Sequence, residues 1–181
     1  MVTLEHNGKR LHYLAMPRTA SKATVHALME LGGVRTSGHH SLPKAGQVKP
    51  GELVITTVRN HYDWFASFYR CFGRVDTKPY AKPIAEFIDL FCEKCPNFVH
   101  PGRGLFDHYG DHATDRLRFE NLEDGLAKFL GSRGFPVPVL PRLERDPIRR
   151  THYREIITPA ARRYIEDRFS EEMEWLGYGW D

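Results

Sequence analysis

Twice in this chain an apolar strand runs into a short polar loop and then directly into an amphipathic helix: LHYLAMPRTASKATVHAL, Leu11 to Leu28, and LVITTVRNHYDWFASFYRCFG, Leu53 to Gly73. A strand that feeds a helix in this way is half of a βαβ unit, and two of them commit the chain to parallel strands joined by crossover helices. The remaining apolar pattern agrees. Strands are predicted at Leu11–Met16, Val34–Ser37, Leu53–Val58 and Arg116–Phe119, all short enough for a buried parallel sheet. Helices are predicted at about Lys22–Leu31, Tyr62–Phe72, Ile84–Cys95, Leu122–Ser132 and Pro159–Leu176. Gly32-Gly33 and Gly73 close the first two. Thr158 caps the last, with Pro159 at its first position. With 181 residues and 41% hydrophobic content the chain suffices for one core. The expectation is therefore a single three-layer α/β/α domain over residues 1–181, built on a central, mainly parallel sheet.

Ligands of such sheets bind at the carboxyl ends of the strands. There the first loop has phosphate-site character: Pro17 closes the strand, Thr19, Ala20 and Ser21 are small enough to let backbone N–H groups approach an anion, and Arg18 and Lys22 add positive charge. The following helix aims its N-terminal dipole at the same point. The loop lacks the glycines and Lys-Ser/Thr pair of a Walker A sequence, and an ordinary capped strand-to-helix turn is the alternative reading. In the second stretch Arg59 stands at the strand end and Ser67 eight residues later, about two turns into the helix, where a hydroxyl can join the guanidinium at a second phosphate. The Pro/Gly/His-rich segments Pro43–Gly51, Gly73–Pro83 and Pro96–Gly110 are expected to gather at this edge, and Phe135–Pro147 reads as an extended crossing.

Charge narrows the ligand class. A net charge of +3 and a pI near 8.8 suit a small anionic ligand and fall well short of a dedicated nucleic-acid binder. No apolar run approaches a membrane span, and the first residues lack a signal-peptide layout, so a cytoplasmic protein is expected if Met1 is the natural start. Cys71, Cys92 and Cys95 read as reduced thiols. The single C-x-x-C of Cys92 and Cys95, with only His100 and His108 nearby to complete a set, is a weak zinc signal, and no metal is expected.

Taken together, the two motifs resemble the signature of the sulfotransferases that use 3′-phosphoadenosine 5′-phosphosulfate (PAPS). PRTASKAT, Pro17 to Thr24, is similar to that family's 5′-phosphosulfate loop, and VRNHYDWFASFY, Val58 to Tyr69, to its 3′-phosphate motif. RFENL, Arg118 to Leu122, resembles a strand end that precedes a family helix, and ITPAARRYIEDRFSEEMEWLGY resembles the C-terminal helix. The motifs occur in family order over most of the chain. Three positions depart from the pattern: Lys22 stands for Ser or Thr, His61 for a Pro, and Trp64 for a frequent Arg. The last two are expected to affect the outer face of the helix start more than the phosphate contacts.

The resemblance implies a fold like that of the P-loop nucleoside-triphosphate hydrolases and transfer of a sulfuryl group from PAPS to a hydroxyl or amine, leaving 3′,5′-adenosine bisphosphate, with no metal required. It places Arg18 as the cation that stabilises the leaving group, an electrostatic role because a guanidinium does not give up its proton. Thr19, Ala20, Ser21, Lys22 and Ala23 would supply backbone and side-chain donors to the phosphosulfate, and Arg59 and Ser67 would hold the 3′-phosphate. GHHSL, Gly38 to Leu42, is similar to the segment that supplies the base in glycan 2-O-sulfotransferases; His39 is the first choice and His40 the second. A pair of plain loop histidines is the alternative. Glu30 and Asp63 are weaker bases on paper, reading as a solvated helix position and a first-turn dipole partner. Arg149 and Arg150 lie where the family closes a loop over the nucleotide. Trp64, Phe65, Phe68 and Tyr69 read mostly as core. The basic substrate loops hint at an acidic acceptor, a small molecule or a glycan, with neither nucleic acid nor membrane as partner. Two other functions compete: a non-catalytic sulfotransferase-like nucleotide-binding module, and a small nucleotide or metabolite kinase, which the absent Walker A glycines disfavour.

Overall fold

The computed structural model describes residues 1–38, 40–72, 82–94, 104, 106–141 and 151–180. These group into two compact units, Met1–Arg59 with Tyr109–Leu143 and Asn60–His108 with Glu144–Asp181.

The first unit carries a mixed five-stranded sheet. Val2–His6 (β1) and Lys9–Leu14 (β2) form a hairpin, Ser21–Glu30 is the helix α1, and Val34–Arg35 (β3), Leu53–Val58 (β4) and Asp115–Arg118 (β5) complete the sheet in the order β3-β1-β2-β4-β5. Among the described residues parallel pairing is confined to β2–β4 and β4–β5, with Tyr13 opposite Ile55 and Val58 opposite Arg118. β1 is antiparallel to both β2 and β3. The expectation of a mainly parallel sheet is thus met only in its middle. The cause is local: Asn7 and Gly8 both have positive φ (49° and 73°), as a two-residue type I′ turn requires, and a two-residue connection can only join antiparallel strands. β1 itself was not expected from its apolar pattern, although Asn-Gly is the strongest short hairpin signal a sequence carries. Leu122–Ser132 (α5) packs on β5, and Leu11, Tyr13, Ile55, Leu126 and Leu130 lie in one buried cluster.

The second unit is helical. His61–Phe72 (α2), Ile84–Lys94 (α3) and Pro159–Leu176 (α6) pack on one another, and the single turn Asp107–Gly110 (α4) joins the two units in sequence. α6 begins and ends as its sequence dictates. The Thr158 side chain accepts from the Ala161 N–H with Pro159 beside it, and Gly177 closes the helix at φ 64° while the Tyr178 N–H reaches the Met173 carbonyl. Trp64, Phe65 and Phe68 are core residues, as expected. His61 and Trp64, however, are fully buried; neither lies on an outer face of the helix start. An apolar environment drew them inward: the Trp64 ring packs against Phe65, Phe68 and Phe91, and His61 against Phe106 and Phe169.

Among the described residues no helix is long and apolar enough to cross a membrane.

Candidate functional site

The loop between β2 and α1 has a backbone that ordinary residues avoid. Arg18 (φ 62°) and Ala20 (φ 58°) are left-handed, and neither is glycine. Each such residue costs on the order of 1 kcal/mol or more, so the fold must hold the loop in place from below. It does so with a hydroxyl floor. The fully buried Tyr13 phenol meets the Thr57 hydroxyl at 3.1 Å and the hydroxyls of Thr19 and Thr24, while Thr19 donates to the Met16 carbonyl and Thr24 to the Ala20 carbonyl. Burial raises the Tyr13 phenol above its ordinary pKa, which keeps it protonated. Tyr13 was not among the residues singled out from sequence. Its neighbours His12 and Leu14 are buried as well, so no alternation along the strand sets it apart.

The floor also redistributes the expected roles. The Thr19 hydroxyl is turned inward and used, so what Thr19 offers an anion is its backbone N–H. Ser21 and Ala23 are likewise buried, whereas Arg18 and Ala20 are half-buried and Lys22 is exposed. Among the described residues no side chain caps α1, whose cap position is Ala20, and the first turn carries no acidic residue. An alanine there is a poor cap, and the first N–H groups of a helix need an acceptor from somewhere. The α2 start is built in the opposite way. Its Tyr62 N–H is met by the Asn60 side chain at 3.0 Å, and Asp63 sits in the first turn, 3.9 Å from Arg70. Asp63 is thereby a dipole and ion-pair residue. Glu30, exposed and 3.5 Å from His26, is the solvated helix position it was read as.

Arg59, at the end of β4, is buried and donates to the Arg18 carbonyl at 2.6 Å, with its guanidinium carbon 4.0 Å from the centre of the Phe119 ring. It therefore belongs with the loop between β2 and α1. Ser67 is buried on α2 in the helical unit.

The third component is His40. Its Nδ1 lies 2.6 Å from the Ala15 carbonyl, at the point where β2 gives way to the loop, and the buried Tyr109 hydroxyl donates to the His40 carbonyl at 2.9 Å. Burial against these groups lowers the imidazole pKa from its ordinary 6.5; the bond to Ala15 opposes this, and the Met1 α-ammonium and Lys22 add to it. The result is a histidine whose positive neighbours are the Met1 α-ammonium and Lys22, the latter at the start of α1. His39, Arg149 and Arg150 lie outside the described residues, as do Cys95, His100 and the His108 side chain. Cys92 is buried on α3. Among the described residues no three His, Cys, Asp or Glu side chains gather as a metal set.

The opposite end of the strands is less suited to chemistry. Two grooves of about 330 and 510 Å³ open there, both lined by Lys9, Arg10 and Glu52, but Arg10 already pairs with Glu5 and Glu52. His12 is a satisfied core histidine, held by Thr3 on one nitrogen and Glu52 on the other.

Comparison with known proteins adds nothing to this geometry: no family model matches the chain, and no curated protein or solved structure matches it.

Proposed function

We propose that the protein is a PAPS-dependent sulfotransferase with the three-layer, P-loop-like architecture of that family. One observation carries the reading: the loop after β2 holds two non-glycine residues at positive φ, feeds a helix start with neither cap nor acid among the described residues, and is braced through its Arg18 carbonyl by Arg59. Strain of this kind persists where surrounding structure over-determines it, which is characteristic of ligand sites, and successive N–H groups in such a loop make a concavity for an anion.

In this reading the backbone N–H groups of Thr19 to Ala23 hold the 5′-phosphosulfate. Arg18 and Lys22 balance the charge that grows on the leaving bisphosphate, and Arg59 serves the 3′-phosphate. Histidine takes the proton of the acceptor. His40 is the base taken here, because it is tied to the end of β2 beside the loop, while His39 lies outside the described residues. The donor's chemistry needs no metal, since fixed cations replace one. The acceptor is an anionic small molecule or glycan.

The test is transfer of labelled sulfate from PAPS to a panel of hydroxyl and amine acceptors. Transfer that is abolished in Arg18→Ala and reduced at least about a hundredfold in His40→Gln supports the reading. Absence of transfer to any acceptor, with tight nucleotide binding retained, favours the non-catalytic module instead.

A further inference from the structure

We propose that Tyr109 is a positioning residue: with the Ala15 carbonyl it clamps His40 so that the imidazole carries its proton on Nδ1 and accepts on Nε2. The inference rests on the sulfotransferase reading for its catalytic meaning, but the clamp itself rests on geometry. A carbonyl oxygen can only accept, so the 2.6 Å contact between His40 Nδ1 and Ala15 requires an N–H on Nδ1. In the neutral ring the lone pair is then on Nε2. Free histidine has no such constraint, and the tautomer at a given site is set by the hydrogen bond the other nitrogen makes.

A ring bond of this kind holds only if the backbone of the loop is also held. Tyr109 supplies that. Its hydroxyl donates to the His40 carbonyl at 2.9 Å, and its ring is buried. Burial pushes the phenol up to about 12, so it remains a donor throughout the neutral range. The residue after it is fixed in turn, because Arg116 on β5 donates through Nη2 to the Gly110 carbonyl at 2.9 Å. The histidine loop is thus pinned to β2 through Ala15 and tied through Tyr109 to the turn that Arg116 holds.

In the transfer step the acceptor O–H gives its proton to His40 Nε2 while its oxygen bonds to sulfur. The bond from sulfur to the 5′-phosphate oxygen breaks, and the electron pair leaves with 3′,5′-adenosine bisphosphate. Histidine ends as imidazolium, with its Nδ1–H still donated to the Ala15 carbonyl. The clamp therefore spares the base a tautomer change before each turnover.

Two measurements on the full chain test this. The first is a long-range ¹H–¹⁵N correlation spectrum of histidine-labelled protein, with the His40 signals identified from their loss in His40→Gln. A neutral His40 protonated on Nδ1 is expected; protonation on Nε2 overturns the proposal without any activity measurement. The second is Tyr109→Phe, which removes one oxygen and keeps the buried ring. A mixed-tautomer spectrum and a kcat lowered roughly tenfold or more at unchanged KM for PAPS are expected. Unchanged tautomer and unchanged kcat overturn the role of Tyr109. The two levels separate cleanly: a His40→Gln variant with full transfer, alongside an Nδ1–H spectrum in the parent protein, defeats the base assignment and leaves the clamp standing.

Discussion

Arg59 donates to the Arg18 carbonyl at 2.6 Å, so the cation at the end of β4 supports the backbone of the loop at the end of β2. A buried guanidinium that faces a carbonyl and an aromatic ring has exchanged water for two directional contacts. Arg59→Ala is expected to cost about 2 kcal/mol in urea denaturation, in the range for a hydrogen bond to a charged group. Arg59→Lys keeps the charge but not the fork and should recover only part of that loss. Equal stability of all three proteins would show that the contact carries no weight.

The strain at Ala20 makes an opposing pair of predictions. Its φ of 58° costs glycine nothing and penalises a β-branched residue heavily. Ala20→Gly should leave the melting temperature level or slightly higher, because relieved strain offsets added chain entropy, whereas Ala20→Val should lose about 2 kcal/mol or more. A valine variant as stable as the glycine variant would contradict the left-handed backbone.

In the helical unit, His61 Nε2 lies 2.5 Å from Glu172, whose other carboxylate oxygen accepts from the Phe106 N–H. The pair is buried, and His61 Nδ1 has no hydrogen-bond partner among the described residues. Removing one member of a buried pair strands the other, so Glu172→Ala should destabilise by about 3 to 5 kcal/mol, and Glu172→Gln by less. Chemical denaturation followed by tryptophan fluorescence reads this directly, since Trp64 sits in the same aromatic core.

His40 imposes a sign on the pH dependence. Its folded pKa is lowered from 6.5, chiefly by burial, so the unfolded chain binds the proton more tightly. The stability it contributes is complete above 6.5 and is lost as pH falls through the lowered folded value. The acid limb of kcat/KM for transfer should accordingly lie below 6.5. His40→Gln should flatten the stability profile in that window. A limb above 6.5 would mean that another group is the base.

Periodicity and punctuation carried most of the secondary structure. Leu53–Val58, Leu122–Ser132 and Pro159–Leu176 form over the very residues their patterns mark, because apolar spacing is clear in each and, in the last, the Thr158 cap and Gly177 agree with it. The mixed character of the sheet rests on β1, which only the Asn7-Gly8 turn signals in the sequence. The candidate site was legible only as far as local chemistry reaches: Arg18, Lys22 and the small residues between them suggest an anion loop on the residue types alone. The remaining features depend on distant residues. The Tyr13 floor needs Thr57, the burial of His61 needs Glu172, and the orientation of His40 needs Ala15 and Tyr109. No spacing rule connects positions so far apart in sequence.

The central proposal is that the loop after β2, with Arg59, takes a 3′,5′-bisphosphate nucleotide. Isothermal calorimetry of the full chain with 3′,5′-adenosine bisphosphate and, separately, with ATP in the presence of Mg²⁺ tests it most directly. Tighter binding of the bisphosphate, insensitive to Mg²⁺ and lost in Arg59→Ala, is the predicted result; tighter, Mg²⁺-dependent binding of ATP would contradict it.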